Sequence, residues 1–271
     1  MHEADAPIGI FDSGVGGLTV LRRVREALPN EALVYLGDTA RVPYGTKSRE
    51  TVVRYAKSCA QILLDRGVKL LVVACNTASA YALEALQDDL DIPVIGVVEP
   101  GARAAVETTR NGRIGVIGTV GTVNSGAYSE SIHAIAPETA VFSSPCPLFV
   151  PLAEEGWTTG AVPVQVATAY LKDLLSEGID TLVLGCTHYP LLHDTIAFVA
   201  GSGVQIVDSA CETAHVVSQT VHAMDLARTE DLPPSLLFLV SDAPESFERI
   251  GRQFLGYDIG HAEWVDVQAV K

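Results

Sequence analysis

The chain has 271 residues, 48% of them hydrophobic but only 6% aromatic. That length suits one large or two modest domains, with a core of Val, Leu, Ile and Ala of the kind found in parallel sheets flanked by helices. A formal net charge of −15 works against binding a phosphate backbone, and no apolar run approaches the ~18 residues of a membrane span.

Residues 1–7 have neither a basic stretch nor an apolar run, so no signal peptide is expected. Residues 8–11, 32–36, 70–74 and 94–98 are short, apolar and β-branched, and read as strands. Longer amphipathic stretches lie between them, at 18–28, 48–65 and 78–90. Such alternation predicts parallel sheets with helical crossovers. The clusters at 14–17 and 43–45 read as loops.

The second half restarts the pattern. Ile114-Gly115-Val116-Ile117-Gly118-Thr119 echoes Ile8-Gly9-Ile10-Phe11-Asp12-Ser13, and Leu182-Val183-Leu184-Gly185-Cys186-Thr187 echoes Leu71-Val72-Val73-Ala74-Cys75-Asn76. The two echoes stand at nearly one spacing, which predicts a duplicated α/β unit. Strands at 204–207, 236–240 and 262–267 and a helix at 244–254 complete the chain, with Asp231-Leu232-Pro233-Pro234 as a connection. Each unit would present strand ends and helix starts on one edge, where open α/β sheets bind ligands.

Five cysteines are present: Cys59, Cys75, Cys146, Cys186 and Cys211. The odd count and the absence of a CxxC pair argue against a disulfide framework, and a reducing cytoplasm is the expected compartment. Cys75 and Cys186 each end a strand and precede a helix start, where the dipole and free N–H groups lower a thiol pKa. Taken singly, each also reads as a small buried packing residue; their equivalent places in two echoing units favour chemistry. Cys59, Cys146 and Cys211 read as structural. Two thiols facing one carbon suit racemisation, in which a base removes an α-proton and an acid returns one to the other face. The charge that develops needs hydrogen-bond donors. Asn76, Thr77 and Thr187 are available for that, or for helix capping.

The run Asp12-Ser13-Gly14-Val15-Gly16-Gly17 does not match GxGxxG. It reads as a close-approach loop for a small anion or ammonium group, or as a tight turn with Asp12 capping a helix. Residues 45–48 do not make a phosphate-binding loop. His188 suits an acid, an orienting group for Cys186 or a zinc ligand, but no HExxH or paired CxxC accompanies it, so no metal is expected. Glu154 and Glu155 could tune a cleft or solvate a surface. No lysine sits in a convincing Schiff-base loop after a strand, so no pyridoxal phosphate, and no other cofactor, is expected.

Several motifs in order resemble the bacterial glutamate racemases, of the aspartate/glutamate racemase superfamily. They are residues 10–20, Gly37 to Gly45, Ala74-Cys75-Asn76-Thr77-Ala78-Ser79, Cys146 to Glu154, and Gly185-Cys186-Thr187-His188-Tyr189-Pro190. The resemblance runs from about residue 8 to past 210. It implies two alike α/β domains, residues 1–98 plus 209–271 and residues 99–208, with the active-site cleft between them and the C-terminal segment returning to the first. It implies that Cys75 acts on D-glutamate and Cys186 on L-glutamate. Asp12, Ser13, Pro43, Tyr44, Gly45, Asn76, Thr77, Thr187 and His188 would contact substrate, and Asp12, Glu154 and His188 would assist proton transfer. The expected role is D-glutamate supply for peptidoglycan and hence cell shape, with glutamate as partner, no nucleic acid, no membrane, and a homodimer as the assembly. Ala153-Glu154-Glu155 departs from the family's pattern, with Glu154 the match and Glu155 the fallback. Aspartate or another amino acid as substrate, a non-catalytic amino-acid-binding module, and a cysteine hydrolase built on Cys186 are the competing readings.

Overall fold

The computed structural model describes residues 3–229 and 233–267. Met1, His2 and part of the Asp231-Leu232-Pro233-Pro234 connection lie outside the described residues. The first run of elements is β1 (Ile8–Asp12), α1 (Leu18–Ala27), β2 (Leu33–Gly37), α2 (Arg49–Leu64), β3 (Leu70–Val73), α3 (Asn76–Asp89), β4 (Val94–Gly96) and α4 (Val98–Thr108). The second is β5 (Arg113–Gly118), α5 (Val120–Ser125), α6 (Ala127–Ile135), β6 (Ala140–Pro145), α7 (Phe149–Glu154), α8 (Ala161–Ser176), β7 (Thr181–Gly185), α9 (His193–Ala200), β8 (Gln205–Asp208) and α10 (Ser209–Ala223). The tail adds β9 (Leu236–Val240), α11 (Pro244–Leu255) and β10 (Ala262–Trp264).

The strands form two wholly parallel sheets, in the orders β10-β9-β2-β1-β3-β4 and β6-β5-β7-β8. The second order repeats the β2-β1-β3-β4 portion of the first, strand for strand. The echoes at residues 8 and 114 therefore mark β1 and β5, and those around Cys75 and Cys186 mark β3 and β7. The C-terminal strands β9 and β10 extend the first sheet beyond β2, which is the expected return of the tail.

Alternation along the central strands explains why both faces of each sheet are covered. In β3, Leu70 and Val72 join a cluster with Leu18, Leu21 and Val24 of α1 and Val217 of α10. Leu71 and Val73 point the other way, to Val52, Ala56 and Leu63 of α2 and Ala82 and Leu86 of α3. In β7, Leu182 and Leu184 pack with Leu171 of α8, while Val183 packs with Ala102 of α4 and Ile132 of α6. Each such fully buried aliphatic side chain contributes about 1.5–3 kcal/mol.

In each sheet the chain leaves the first strand for the neighbour on one side and then returns to the other side. The crevice at such a reversal, beyond the strand C-termini, is where α/β sheets hold ligands. It lies between the ends of β1 and β3 in one sheet, and of β5 and β7 in the other.

Candidate active site

The four strand ends carry the site. Ser13 follows β1, Cys75 follows β3, Thr119 follows β5 and Cys186 follows β7. All four line one cavity of about 250 Å³, together with Val42, Pro43, Tyr44, Gly45, Asn76, Thr77, Val150, Pro151, Glu154, Thr187 and His188. The cavity thus draws on both sheets, with one cysteine from each.

Cys75 is buried at the start of α3. Its sulfur lies 3.7 Å from the Ser13 hydroxyl and takes a hydrogen bond from the Ala78 backbone N–H. These donors favour a thiolate, as a helix start should. Burial and the charge of Asp12 outweigh them and push the thiol up to about 12. The expectation of a lowered pKa is corrected here: desolvation of a buried sulfur exceeds the help of a helix terminus.

Cys186 has a different neighbour. Its sulfur is 3.9 Å from Nδ1 of His188, whose Nε2 is 3.0 Å from Oε1 of Glu154. Burial alone would lower the His188 pKa. Hydrogen bonds to Cys186 and Glu154, with the charges of Cys186 and Asp12, overcome that and raise it to about 10. The imidazole is therefore a cation at neutral pH. It supplies the local positive potential that an anion requires in so acidic a chain.

Asp12 is fully buried and lies behind the cavity wall rather than in it. One carboxylate oxygen accepts the Gly14 N–H at 2.9 Å and the other the Thr187 hydroxyl at 3.3 Å. It makes a turn after β1 and does not cap α1, whose N-cap is Gly17. Burial raises its pKa against the pull of the His188 charge. Asp12 is tied to the cavity through the Thr187 hydroxyl and through its charge on His188.

The glycine loop packs closely against the segment that follows Cys186. A Cβ at Gly16 would come within 2.3 Å of the Thr187 hydroxyl and 2.5 Å of His188 Nδ1. Only a bare backbone lets the two segments meet. Gly45 does the same against Thr119, where a Cβ would lie 2.5 Å from that residue's own. The Tyr44 hydroxyl is turned away to donate to Asp38, which the Arg41 guanidinium also grips at 2.6 Å.

Asn76 and Thr77 do not cap α3. The Asn76 carbonyl oxygen accepts from Tyr128 at 2.7 Å, and its Nδ2, although buried, has no hydrogen-bond partner in the protein. The Thr77 hydroxyl meets those of Thr119 at 2.8 Å and Thr122 at 3.1 Å. Glu154 faces the cavity, whereas Glu155 ends α7 on the outside. Cys59 and Cys146 are buried away from the cavity wall, and Cys211 is exposed.

Sequence reasoning missed Val42, Thr119, Val150 and Pro151 as wall residues. Thr119 was within reach, since it holds the place in the second echo that Ser13 holds in the first. The other three are apolar and carry no chemical signature.

Residues 8–217 match the family described as Asp/Glu/Hydantoin racemase, and the chain belongs to that family. It is a racemase, an isomerase by class. It is 56% identical over 264 residues to the glutamate racemase of Geobacter metallireducens, covering 97% of this chain and 98% of that one. Identity to the glutamate racemase of Aquifex aeolicus is 50% over 252 residues, with 93% and 95% covered. Its fold matches the crystal structure of Francisella tularensis glutamate racemase in complex with D-glutamate. The TM-score is 0.93 at 38% identity, over 98% of this chain and 99% of that one.

Proposed function

We propose that the protein interconverts L- and D-glutamate by transfer of the α-proton between substrate and two thiols, Cys75 and Cys186. The observation that carries this reading is the pair of cysteines at equivalent strand ends of two repeated units, opening on one cavity. One sulfur, as thiolate, takes the α-proton; the electron pair moves into the α-carboxylate; the other sulfur, as thiol, returns a proton to the opposite face. The roles exchange when the direction reverses.

Cys75 acts on D-glutamate and Cys186 on L-glutamate. Glu154 and His188 serve the Cys186 side, since their contact ends on its sulfur. Asn76, Thr77 and Thr187 offer donors to the carboxylates, and Ser13, Pro43, Tyr44 and Gly45 complete the wall. Asp12 adjusts both sides through its charge. The names of the relatives and the D-glutamate bound in one of them support glutamate over aspartate.

The domains are residues 1–98 with 209–271, and residues 99–208. The product serves peptidoglycan synthesis in the cytoplasm, and the assembly is a homodimer, which light scattering would check. No helix among the described residues is long and apolar enough to cross a membrane.

The test is turnover of D-glutamate and D-aspartate side by side, with α-hydrogen exchange followed in deuterated water. Glutamate should be the faster substrate and should take up solvent deuterium at Cα. Equal or faster aspartate turnover would overturn the substrate, and binding without exchange would overturn catalysis.

A further inference from the structure

We propose that Tyr128 is a positioning residue, whose phenol fixes which face of the Asn76 amide is turned to the cavity. The inference rests on the proposed reading, in which a carboxylate of glutamate occupies that cavity.

Tyr128 opens α6, is buried, and is not part of the cavity wall. It nevertheless reaches the neighbours of both thiols. Its hydroxyl donates to Oδ1 of Asn76 at 2.7 Å, one residue after Cys75. Its ring lies over Gly185, one residue before Cys186, where an added Cβ would come within 3.1 Å of Cε2. Gly101 of α4 leaves room for the hydroxyl, since a Cβ there would stand 3.1 Å from it.

An amide side chain has one accepting and one donating end, and the two are nearly equal in size. Shape alone therefore does not hold Asn76 in one orientation. Hydrogen bonding does. Burial raises the Tyr128 phenol above its ordinary pKa, against the effect of the nearby Ser209 hydroxyl. It stays protonated, and its buried proton needs an acceptor. Oδ1 of Asn76 is that acceptor, at 2.7 Å, while the Ser209 hydroxyl hydrogen-bonded to the same phenol supplies the bond that the phenol oxygen accepts. Nδ2 is then left as a buried donor without a protein partner, on a residue of the cavity wall. A carboxylate oxygen would meet it. With the amide turned over, an oxygen would face that carboxylate instead, and the repulsion would grow as negative charge develops during proton abstraction.

The experiment is a double-mutant cycle of Tyr128→Phe and Asn76→Ala, read as kcat and KM for both enantiomers of glutamate. Phe keeps the ring against Gly185 and removes only the hydroxyl. Tyr128→Phe should lower kcat/KM on the order of tenfold, mainly through kcat, which is less than the 10²–10³ lost when such a donor is deleted outright. In the Asn76→Ala background the same change should have no further effect. Where turnover by Asn76→Ala falls below detection, the cycle is read from D-glutamate affinity by calorimetry.

An equal loss in both backgrounds would overturn the proposal, because Tyr128 would then act on packing rather than through Asn76. So would full activity of Tyr128→Phe, or of Asn76→Ala. Each of these results leaves the racemase reading intact as long as the wild-type protein turns over glutamate. Failure of the wild type to do so would remove that reading itself.

Discussion

His188 Nε2 lies 3.0 Å from Oε1 of Glu154, and the far side of the same ring faces Cys186, with Nδ1 at 3.9 Å from its sulfur. A proton-carrying ring is thereby held between a half-exposed carboxylate and one of the two thiols. Cys75 has no such partner; its polar neighbours are the Ser13 hydroxyl and a backbone N–H. The two halves of the site repeat in backbone topology and differ in the groups beside each sulfur.

Replacing the carboxylate should expose that difference. Glu154→Gln keeps the shape but removes one of the groups that raise the His188 pKa. Its kcat should fall at least tenfold, within the range of 10²–10⁴ that general acid–base groups contribute. The alkaline limb of its pH–rate profile should move to lower pH. Glu155→Gln, on the outer end of α7, should match wild type. The measurement is the pair of pH–rate profiles, and equal effects from the two glutamates would contradict the assignment.

His188 also links stability to pH. Its folded pKa of about 10 stands above the ordinary 6.5, so the fold prefers the protonated ring. The stabilisation is complete below pH 6.5, declines between 6.5 and about 10 as the unfolded chain alone loses the proton, and is gone above. Thermal melting temperature should therefore fall across that window in the wild-type protein. It should fall less steeply in His188→Gln. Parallel curves would show that the ring is not protonated in the fold.

Gly16 is a point at which the fold and the site meet. A methyl group there collides with Thr187 and His188 at once, so Gly16→Ala should displace the segment after Cys186. Overpacking of this kind costs about 1–3 kcal/mol of stability. Activity should suffer more, because a shift of about 1 Å near the chemistry costs on the order of 10²-fold. Denaturant unfolding and kcat/KM measured on the same variant check both parts.

Much of this arrangement was legible in the sequence. The β1/β5 and β3/β7 repetition showed as two echoes because a buried parallel strand must be a short apolar run and a tight strand end must carry small residues. Cys75 and Cys186 stood out through their equivalent places rather than through either residue alone. The sign of the Cys75 shift was not legible. A helix start is visible in sequence, but the depth of burial that overrides it is a property of the packed fold. Asp12 reads in sequence as a cap or a ligand; it does not cap α1, and its partner Thr187 comes from the other sheet's strand end, a contact that no local pattern shows. Val150 and Pro151 reach the wall because α7 lies across the cavity, which no local pattern announces. The glutamate reading came from the motifs, since the cavity wall alone suits several small amino acids.

The most direct test of the two-thiol account is racemisation of L- and D-glutamate by Cys75→Ala and Cys186→Ala, each assayed in both directions. Near-complete loss of racemisation from either starting enantiomer is expected in both variants, because each turnover needs one sulfur to take a proton and the other to give one. Two-way racemisation retained by either variant would contradict the account.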